Sequence, residues 1–232
     1  MKQGQYDIVV VGGGHAGVEA SLVACYMGSK VALVTMDPTA IGRMSCNPAI
    51  GGLAKGQMVR EVDVLGGVMG FFADMSGIQF KVLNKKKGRA VWSPRAQIDK
   101  RQYEKLVRGA VKNSDVDIVV GEVVSVKEVS GRVRSVLLRS GEEIKTVSAI
   151  ITSGTFLSGV IHIGERKINA GRMGEERAEG LTESLHSIGL RSARLKTGTP
   201  PRIERSSIDW TKTIEASGDI EPVPFSYSTQ SF

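Results

Sequence analysis

The sequence predicts an α/β protein, a parallel-strand core with a β-meander inserted into it, and three observations carry that prediction. A strand-sized apolar run, Tyr6-Asp7-Ile8-Val9-Val10-Val11, leads into Gly12-Gly13-Gly14-His15-Ala16-Gly17 and then into a small-residue helical segment from Val18 to Met27. A second buried-strand pattern, Val31-Ala32-Leu33-Val34-Thr35, follows at once and completes a βαβ unit. Further on, the β-type segments Val123–Val129, Val133–Arg139 and Glu143–Thr152 are joined by Ser130-Gly131 and Ser140-Gly141, residue types that make tight hairpin turns.

The glycines between the first strand and helix have the spacing G-x-G-x-x-G, in the strand-to-helix setting that gives the motif its meaning. Gly12 permits the tight turn, Gly14 lets a pyrophosphate approach the backbone, and Gly17 allows close packing of helix on strand. The backbone of Gly13, His15 and Ala16 runs alongside. The helix start offers N–H groups and a positive dipole end to an anion. Asp37 falls about twenty residues after the glycines, near the position of a ribose-binding carboxylate. These features predict a Rossmann-like FAD/NAD(P)-binding three-layer fold, with a Gly-rich turn that packs an ordinary βα unit as the plain alternative. His15 occupies a variable position of the fingerprint, so its imidazole is read as structural, and Glu19 as a helix-start charge.

Asp37 to Gly56 is Gly/Pro/Ser-rich and poor in charge, which predicts a functional loop. Apolar spacing at Met58, Val59, Val62 and Leu65 predicts a helix over Lys55–Leu65, closed by Gly66-Gly67. Ile78–Leu83 reads as a strand, Ala96–Val111 as a helix and Asp117–Val120 as a buried strand. The meander's last strand runs into a small-residue turn, Ser153-Gly154-Thr155. Glu175–Ile188 reads as a helix ending at Gly189, Arg191–Lys196 as a strand, and Thr197-Gly198-Thr199-Pro200-Pro201 as a rigid turn. Beyond Ser206 the apolar periodicity fades, and the expectation is a chain that stops partway through a larger protein.

The composition, 41% hydrophobic and 24% charged, is that of a globular protein. No apolar run approaches membrane-spanning length, and the N-terminus enters the first strand without a signal-peptide pattern, so a cytoplasmic setting is expected. Two cysteines, Cys25 and Cys46, are too few for a disulfide framework; no C-x-x-C is present, and no His/Cys spacing suggests a metal. The net charge of +7 suggests an anionic partner, with general solubility as the plain alternative. Lys81, Lys85, Lys86, Lys87, Arg89, Arg95, Lys100 and Arg101 form one basic cluster; Arg191, Arg194, Lys196, Arg202 and Arg205 form another. Either could track a phosphate backbone.

Longer segments resemble one family. Gly12 through Ala20, Gly42-Arg43-Met44-Ser45-Cys46-Asn47-Pro48-Ala49-Ile50-Gly51-Gly52, Gly66-Gly67-Val68-Met69-Gly70, Gly154-Thr155-Phe156-Leu157, Ile161-His162-Ile163-Gly164, Ala170-Gly171-Arg172-Met173-Gly174 and Arg194-Leu195-Lys196-Thr197-Gly198-Thr199-Pro200-Pro201-Arg202 occur in the family's order over nearly the whole chain. The chain resembles the N-terminal part of the glucose-inhibited division protein A family, also known as the MnmG family, flavoproteins that modify the tRNA wobble uridine.

The resemblance implies FAD as cofactor, NADH as its reductant and methylenetetrahydrofolate as one-carbon donor. The reaction it implies attaches an aminomethyl or carboxymethylaminomethyl group at carbon 5 of the uridine. It further implies tRNA as substrate, a GTPase (MnmE-like) partner subunit, and a homodimer. Residues 1–200 are then an incomplete FAD-binding domain, and 201–232 the start of an inserted dinucleotide-binding or substrate domain. Cys46 becomes the candidate nucleophile, since a thiolate added to carbon 6 of uracil activates carbon 5; a small packing residue is the alternative. Ser45 and Asn47 are expected to line the flavin pocket, the Val124 backbone to contact the adenine, and the Ala178 backbone to lie near FAD. Two other readings stand beside this one. They are an FAD/folate-dependent tRNA uracil methyltransferase and a non-catalytic flavin- or RNA-binding piece.

Overall fold

In the computed structural model of the chain, residues 4–44, 47–198, 201 and 203–230 are described. The elements run in the order β1 (Tyr6–Val11), α1 (His15–Tyr26), β2 (Val31–Thr35), β3 (Ala49–Gly51), α2 (Lys55–Val64), α3 (Met69–Ser76), β4 (Gly77–Leu83) and β5 (Ser93–Ile98). They continue with α4 (Lys100–Lys112), β6 (Asp117–Val120), β7 (Val123–Val129), β8 (Arg132–Leu138), β9 (Glu143–Ile151), β10 (Val160–Ile163), β11 (Arg166–Asn169) and α5 (Leu181–Ser187). Two compact units result, one formed by residues 1–43 and 101–192, the other by 44–100 and 193–232.

The first unit is built on a sheet of order β6-β2-β1-β9-β8-β7. β1 lies parallel to both β2 and β9, and β2 parallel to β6. Parallel strands covered on both faces read as unbroken apolar runs, and every residue of β2 is buried. β9 serves two sheets in one. Its start, Glu143–Lys145, pairs antiparallel with β8, and its remainder, Thr146–Ile151, pairs parallel with β1. The meander therefore returns the chain to the centre of the parallel sheet. Val9, Val11, Ala32, Val34, Val126, Val136 and Leu138 form the core, joined by Leu181 of α5.

The second unit holds an antiparallel sheet of order β3-β5-β4 with α2 and α3. Gly66 and Gly67 close α2 as the sequence predicts: Gly67 N–H donates to Val62 O (2.8 Å) and Gly66 N–H to Asp63 O (2.9 Å), the Schellman pair. The segment beyond Ser206, which carries no periodicity, is seated by a buried carboxylate. Asp74 accepts hydrogen bonds from Phe225 N–H (2.8 Å), Ser226 N–H (2.9 Å) and Thr229 Oγ1 (2.6 Å), and Phe225 is buried.

Three sequence expectations are corrected. Ala96–Ile98 belong to β5, not to the helix, which begins at Lys100. Ala96 and Ile98 are buried while Arg95 and Gln97 are half-buried, a strand alternation held by pairing to β3 and β4. The helix expected over Glu175–Ile188 is confined to Leu181–Ser187, because Gly180 sits at φ +89° and Glu175 and Ala178 bridge to Arg172 and Leu157. Its end is where the sequence puts it: Leu190 N–H reaches Leu185 O and Gly189 N–H reaches His186 O. Arg191–Lys196 form no strand. Of the Thr197–Pro201 turn, Thr199 and Pro200 lie outside the described residues. The helix α3 and the β10–β11 hairpin were not anticipated.

Candidate functional site

Three close approaches define the turn at the end of β1. Gly12 N–H donates to Val34 O (2.9 Å), tying the turn to β2. A Cβ on Gly12 would lie 2.7 Å from Thr152 O, and one on Gly17 only 1.8 Å from Gly12 O. Thr152, the residue after β9, closes the turn from the other side: its hydroxyl sits 2.8 Å from Val11 O and 3.0 Å from Gly12 O. Thr152 is a site residue that the sequence did not single out. Its only signal is its place in the small-residue run that ends the meander.

Gly14 behaves oppositely. It stands at the cap position of α1 with no capping side chain, and a Cβ there would meet nothing within 4 Å. The N–H groups of His15, Ala16 and Gly17 have no partner inside the helix, as in any first turn. Positive dipole, free N–H groups and open space over Gly14 fit a pyrophosphate. The glycine turn thus meets the steric requirement of the dinucleotide expected from the sequence. Gly13 forms the side wall, its would-be Cβ 3.1 Å from Thr35 and Ile41 and its carbonyl accepting from Gly42 N–H at 2.9 Å.

His15 packs edge-on to Tyr103, with ring centroids 5.6 Å apart, and its Nδ1 is buried without a partner among the described residues. Burial, and then the charge of Arg172, lower its pKa from the usual 6.5, which favours the neutral ring. Burial also raises the pKa of Tyr103, with Glu19 adding to the effect.

Asp37 caps a short turn of 3-10 helix, Pro38–Ala40. Its Oδ1 accepts from Thr39 N–H (2.8 Å) and Thr39 Oγ1 (2.6 Å), while Oδ2 stands 3.7 Å from Arg43. The Thr39 hydroxyl is the main cause holding the carboxyl below its usual range. One carboxylate oxygen is thus committed to the turn, and the other lies on a half-exposed side chain. Arg43 gathers two further carboxylates, Glu104 at 3.5 Å and Glu175 at 3.1 Å. It thereby fixes the residue from which the Met44-Ser45-Cys46 segment departs.

Val124 lies in β7 at a register shift, between Val123 opposite Leu138 and Ser125 opposite Leu137, so the residue is bulged out of the ladder. Ala178 is buried and both its backbone groups are engaged, the N–H with Phe156 O (3.0 Å) and the carbonyl with Ser158 N–H (2.8 Å). Gly12–Gly17, Asp37, Val124 and Ala178 all belong to the first unit. Asn47 belongs to the second, exposed, with its carbonyl accepting from Ala49 N–H (2.8 Å). Ser45 and Cys46 lie outside the described residues. Cys25 is a free thiol on α1. Among the described residues no group of His, Cys, Asp and Glu is arranged to hold a metal, and no helix is long and apolar enough to cross a membrane.

A parallel sheet headed by this glycine turn, with a meander whose last strand returns beside β1, defines the class: a Rossmann-like α/β fold of the FAD/NAD(P)-binding type. The model of the family described as glucose inhibited division protein A matches residues 7–232, and the chain belongs to that family. It is 51% identical over 228 residues to the tRNA uridine 5-carboxymethylaminomethyl modification enzyme MnmG of Chlorobaculum tepidum, covering 97% of this chain and 37% of that protein. The crystal structure of Aquifex aeolicus GidA matches with a TM-score of 0.92 at 46% identity, over 98% of this chain and 38% of that one. The GidA-related protein of Thermus thermophilus, at 18% identity and a TM-score of 0.53 over 81% of this chain and 70% of that one, shares the fold alone. The chain spans little more than a third of the length of the curated relatives it matches.

Proposed function

We propose that the chain is the FAD-binding part of an enzyme that modifies carbon 5 of the tRNA wobble uridine. The observation that carries this reading is the glycine turn, closed by Thr152 and open over Gly14, in a chain about half identical to relatives named for that modification. The N–H groups of Gly14 to Gly17 hold the pyrophosphate, and Asp37 Oδ2, 3.7 Å from Arg43, serves the ribose. The bulged backbone of Val124 serves the adenine; Ala178, its backbone engaged, contributes shape. Ser45 and Asn47 line the flavin side.

Bound FAD, reduced by NADH, supplies the redox chemistry. The chain's own chemical contribution is Cys46. Its thiolate adds to carbon 6 of uracil, so carbon 5 becomes nucleophilic toward the iminium that the one-carbon unit of methylenetetrahydrofolate would form with ammonium or glycine, tetrahydrofolate departing. Loss of the carbon 5 proton and of the thiolate then restores the ring. Arg43 holds the root of this segment through Glu104 and Glu175. In the proposal the protein works in the cytoplasm as a homodimer with a GTPase partner. The test is Cys46→Ser in the native gene, followed by mass spectrometry of tRNA nucleosides. Loss of the aminomethylated wobble uridine is expected; an unchanged nucleoside profile overturns the assignment of Cys46.

A further inference from the structure

The second unit carries a feature that the flavin site does not use. Between β4 and β5, two short turns of 3-10 helix, Lys85–Lys87 and Arg89–Val91, present consecutive cations on an exposed loop. The loop is closed upon itself. Lys87 N–H donates to Asn84 O (2.9 Å), Val91 N–H to Gly88 O (3.3 Å) and Trp92 N–H to Arg89 O (3.2 Å). The Trp92 indole N–H donates to Lys85 O (3.2 Å), and Gln57 holds the Trp92 carbonyl (3.1 Å).

The charges sort into two groups. Lys85 is spent on Asp219 (2.9 Å), and Lys81 donates to Ser217 O (2.8 Å). Lys86, Lys87 and Arg89 make no ion pair among the described residues. Beside them the loop keeps apolar surface in water: Val91 is 42% and Trp92 38% exposed, and the Arg89 guanidinium lies 5.7 Å from the Trp92 ring centroid.

Unpaired cations interleaved with an exposed, cation-stacked aromatic suit RNA better than an acidic protein surface. Phosphates need the charges, and an unstacked base needs a flat π-face or guanidinium. We infer that the Lys85–Trp92 loop is an RNA-docking element that places Lys86 and Lys87 on the tRNA backbone and the Arg89–Trp92 pair against an unstacked base. This rests on the tRNA reading above and assigns part of the substrate contact to residues outside the flavin site.

The probe is a fluorescein-labelled tRNA transcript with uridine at the wobble position, titrated by anisotropy between 50 and 300 mM KCl, with a DNA duplex of equal charge as control. For Lys86→Gln/Lys87→Gln the salt slope falls by about 1.4–1.8 and tRNA affinity drops about 10-fold at 150 mM salt. Trp92→Leu lowers tRNA affinity about 10-fold, leaves the salt slope unchanged and spares the duplex. An unchanged urea midpoint shows that each variant is folded. The exposed lysine pair keeps the test informative if Trp92→Leu unfolds. Variants that bind tRNA like the wild type overturn the loop assignment and leave the tRNA reading standing. An equal loss on the DNA duplex overturns the base-stacking assignment. A wild-type chain that binds FAD but no tRNA overturns the loop and the tRNA reading together.

Discussion

Gly17 and Gly14 lie three residues apart in one turn, yet the geometry assigns them opposite sensitivities to the same added methyl. At Gly17 a Cβ would sit 1.8 Å from Gly12 O and 2.8 Å from Thr152 Oγ1. The first of these neighbours is backbone, pinned by its own turn, so relief requires moving α1 away from β1. Overpacking of this kind costs about 1–3 kcal/mol, and the rigid partner puts Gly17→Ala near the upper end. Better helix propensity returns about 0.5–1 kcal/mol, leaving a net loss of about 2 kcal/mol. With a urea slope of about 2 kcal/mol/M, the midpoint falls by about 1 M. At Gly14 the same methyl meets nothing within 4 Å and the backbone, at φ −73°, accepts alanine. Gly14→Ala therefore changes stability by no more than about 1 kcal/mol, the cost of a poorer cap. It does fill the space in which the pyrophosphate is proposed to lie, so FAD affinity drops while the fold stands. Urea denaturation of both variants without FAD, then titration with FAD, separates the two effects. A Gly17→Ala protein with an unchanged urea midpoint would refute the packing reasoning. Undiminished FAD binding by Gly14→Ala would refute the cradle.

Three further outcomes are expected. The lowered pKa of His15 means that below pH 6.5 the unfolded chain takes up a proton that the folded chain refuses, so stability falls with pH until the depressed folded pKa is reached. That extra slope is absent in His15→Asn, and equal slopes in urea-midpoint series from pH 7.5 to 5 would contradict it. Replacing Asp74 by Asn withdraws a charged acceptor from two backbone amides and a hydroxyl, costing about 1.5–3 kcal/mol; hydrogen exchange at Phe225 and Ser226 should accelerate, and unchanged protection would tell against the anchor. Arg43→Ala leaves the half-buried Glu104 and Glu175 without their cation, a loss of about 1–3 kcal/mol by urea denaturation. Arg43→Lys should restore only part of it, because one ammonium cannot reach separate carboxylates as a guanidinium fork does.

What the sequence revealed and what it hid divide along the range of the interactions. β1, β2 and the start of the meander are legible to the residue because unbroken apolar runs and Ser-Gly or Gly-rich turns are local signals. β5 was hidden because its apolar alternation, Ala96 and Ile98, is short beside the helical pattern of Tyr103, Leu106, Val107 and Ala110 that follows; long-range pairing to β3 and β4 sets the strand, and Asp99, a cap-type residue just before Lys100, was the overlooked local clue. Gly180 should have stopped the helix expected from Glu175. The seat of Phe225 rests on Asp74, 151 positions earlier, and has no local signature. At the site, the glycine spacing is fully legible. Thr152 is not, because its role exists only once β9 lies beside β1. Nor could the sequence foresee that Asp37 would commit one oxygen to its own turn, although Asp37-Pro38-Thr39 is the composition of such a cap.

The proposal stands or falls most directly on flavin. FAD titrated into the purified chain, followed by its visible bands and its fluorescence, should bind stoichiometrically with quenched emission, and Gly14→Ala should weaken that binding with the fold intact. Free-flavin fluorescence at every protein concentration, from a chain shown to be folded, would contradict the claim that this glycine turn is a working FAD site.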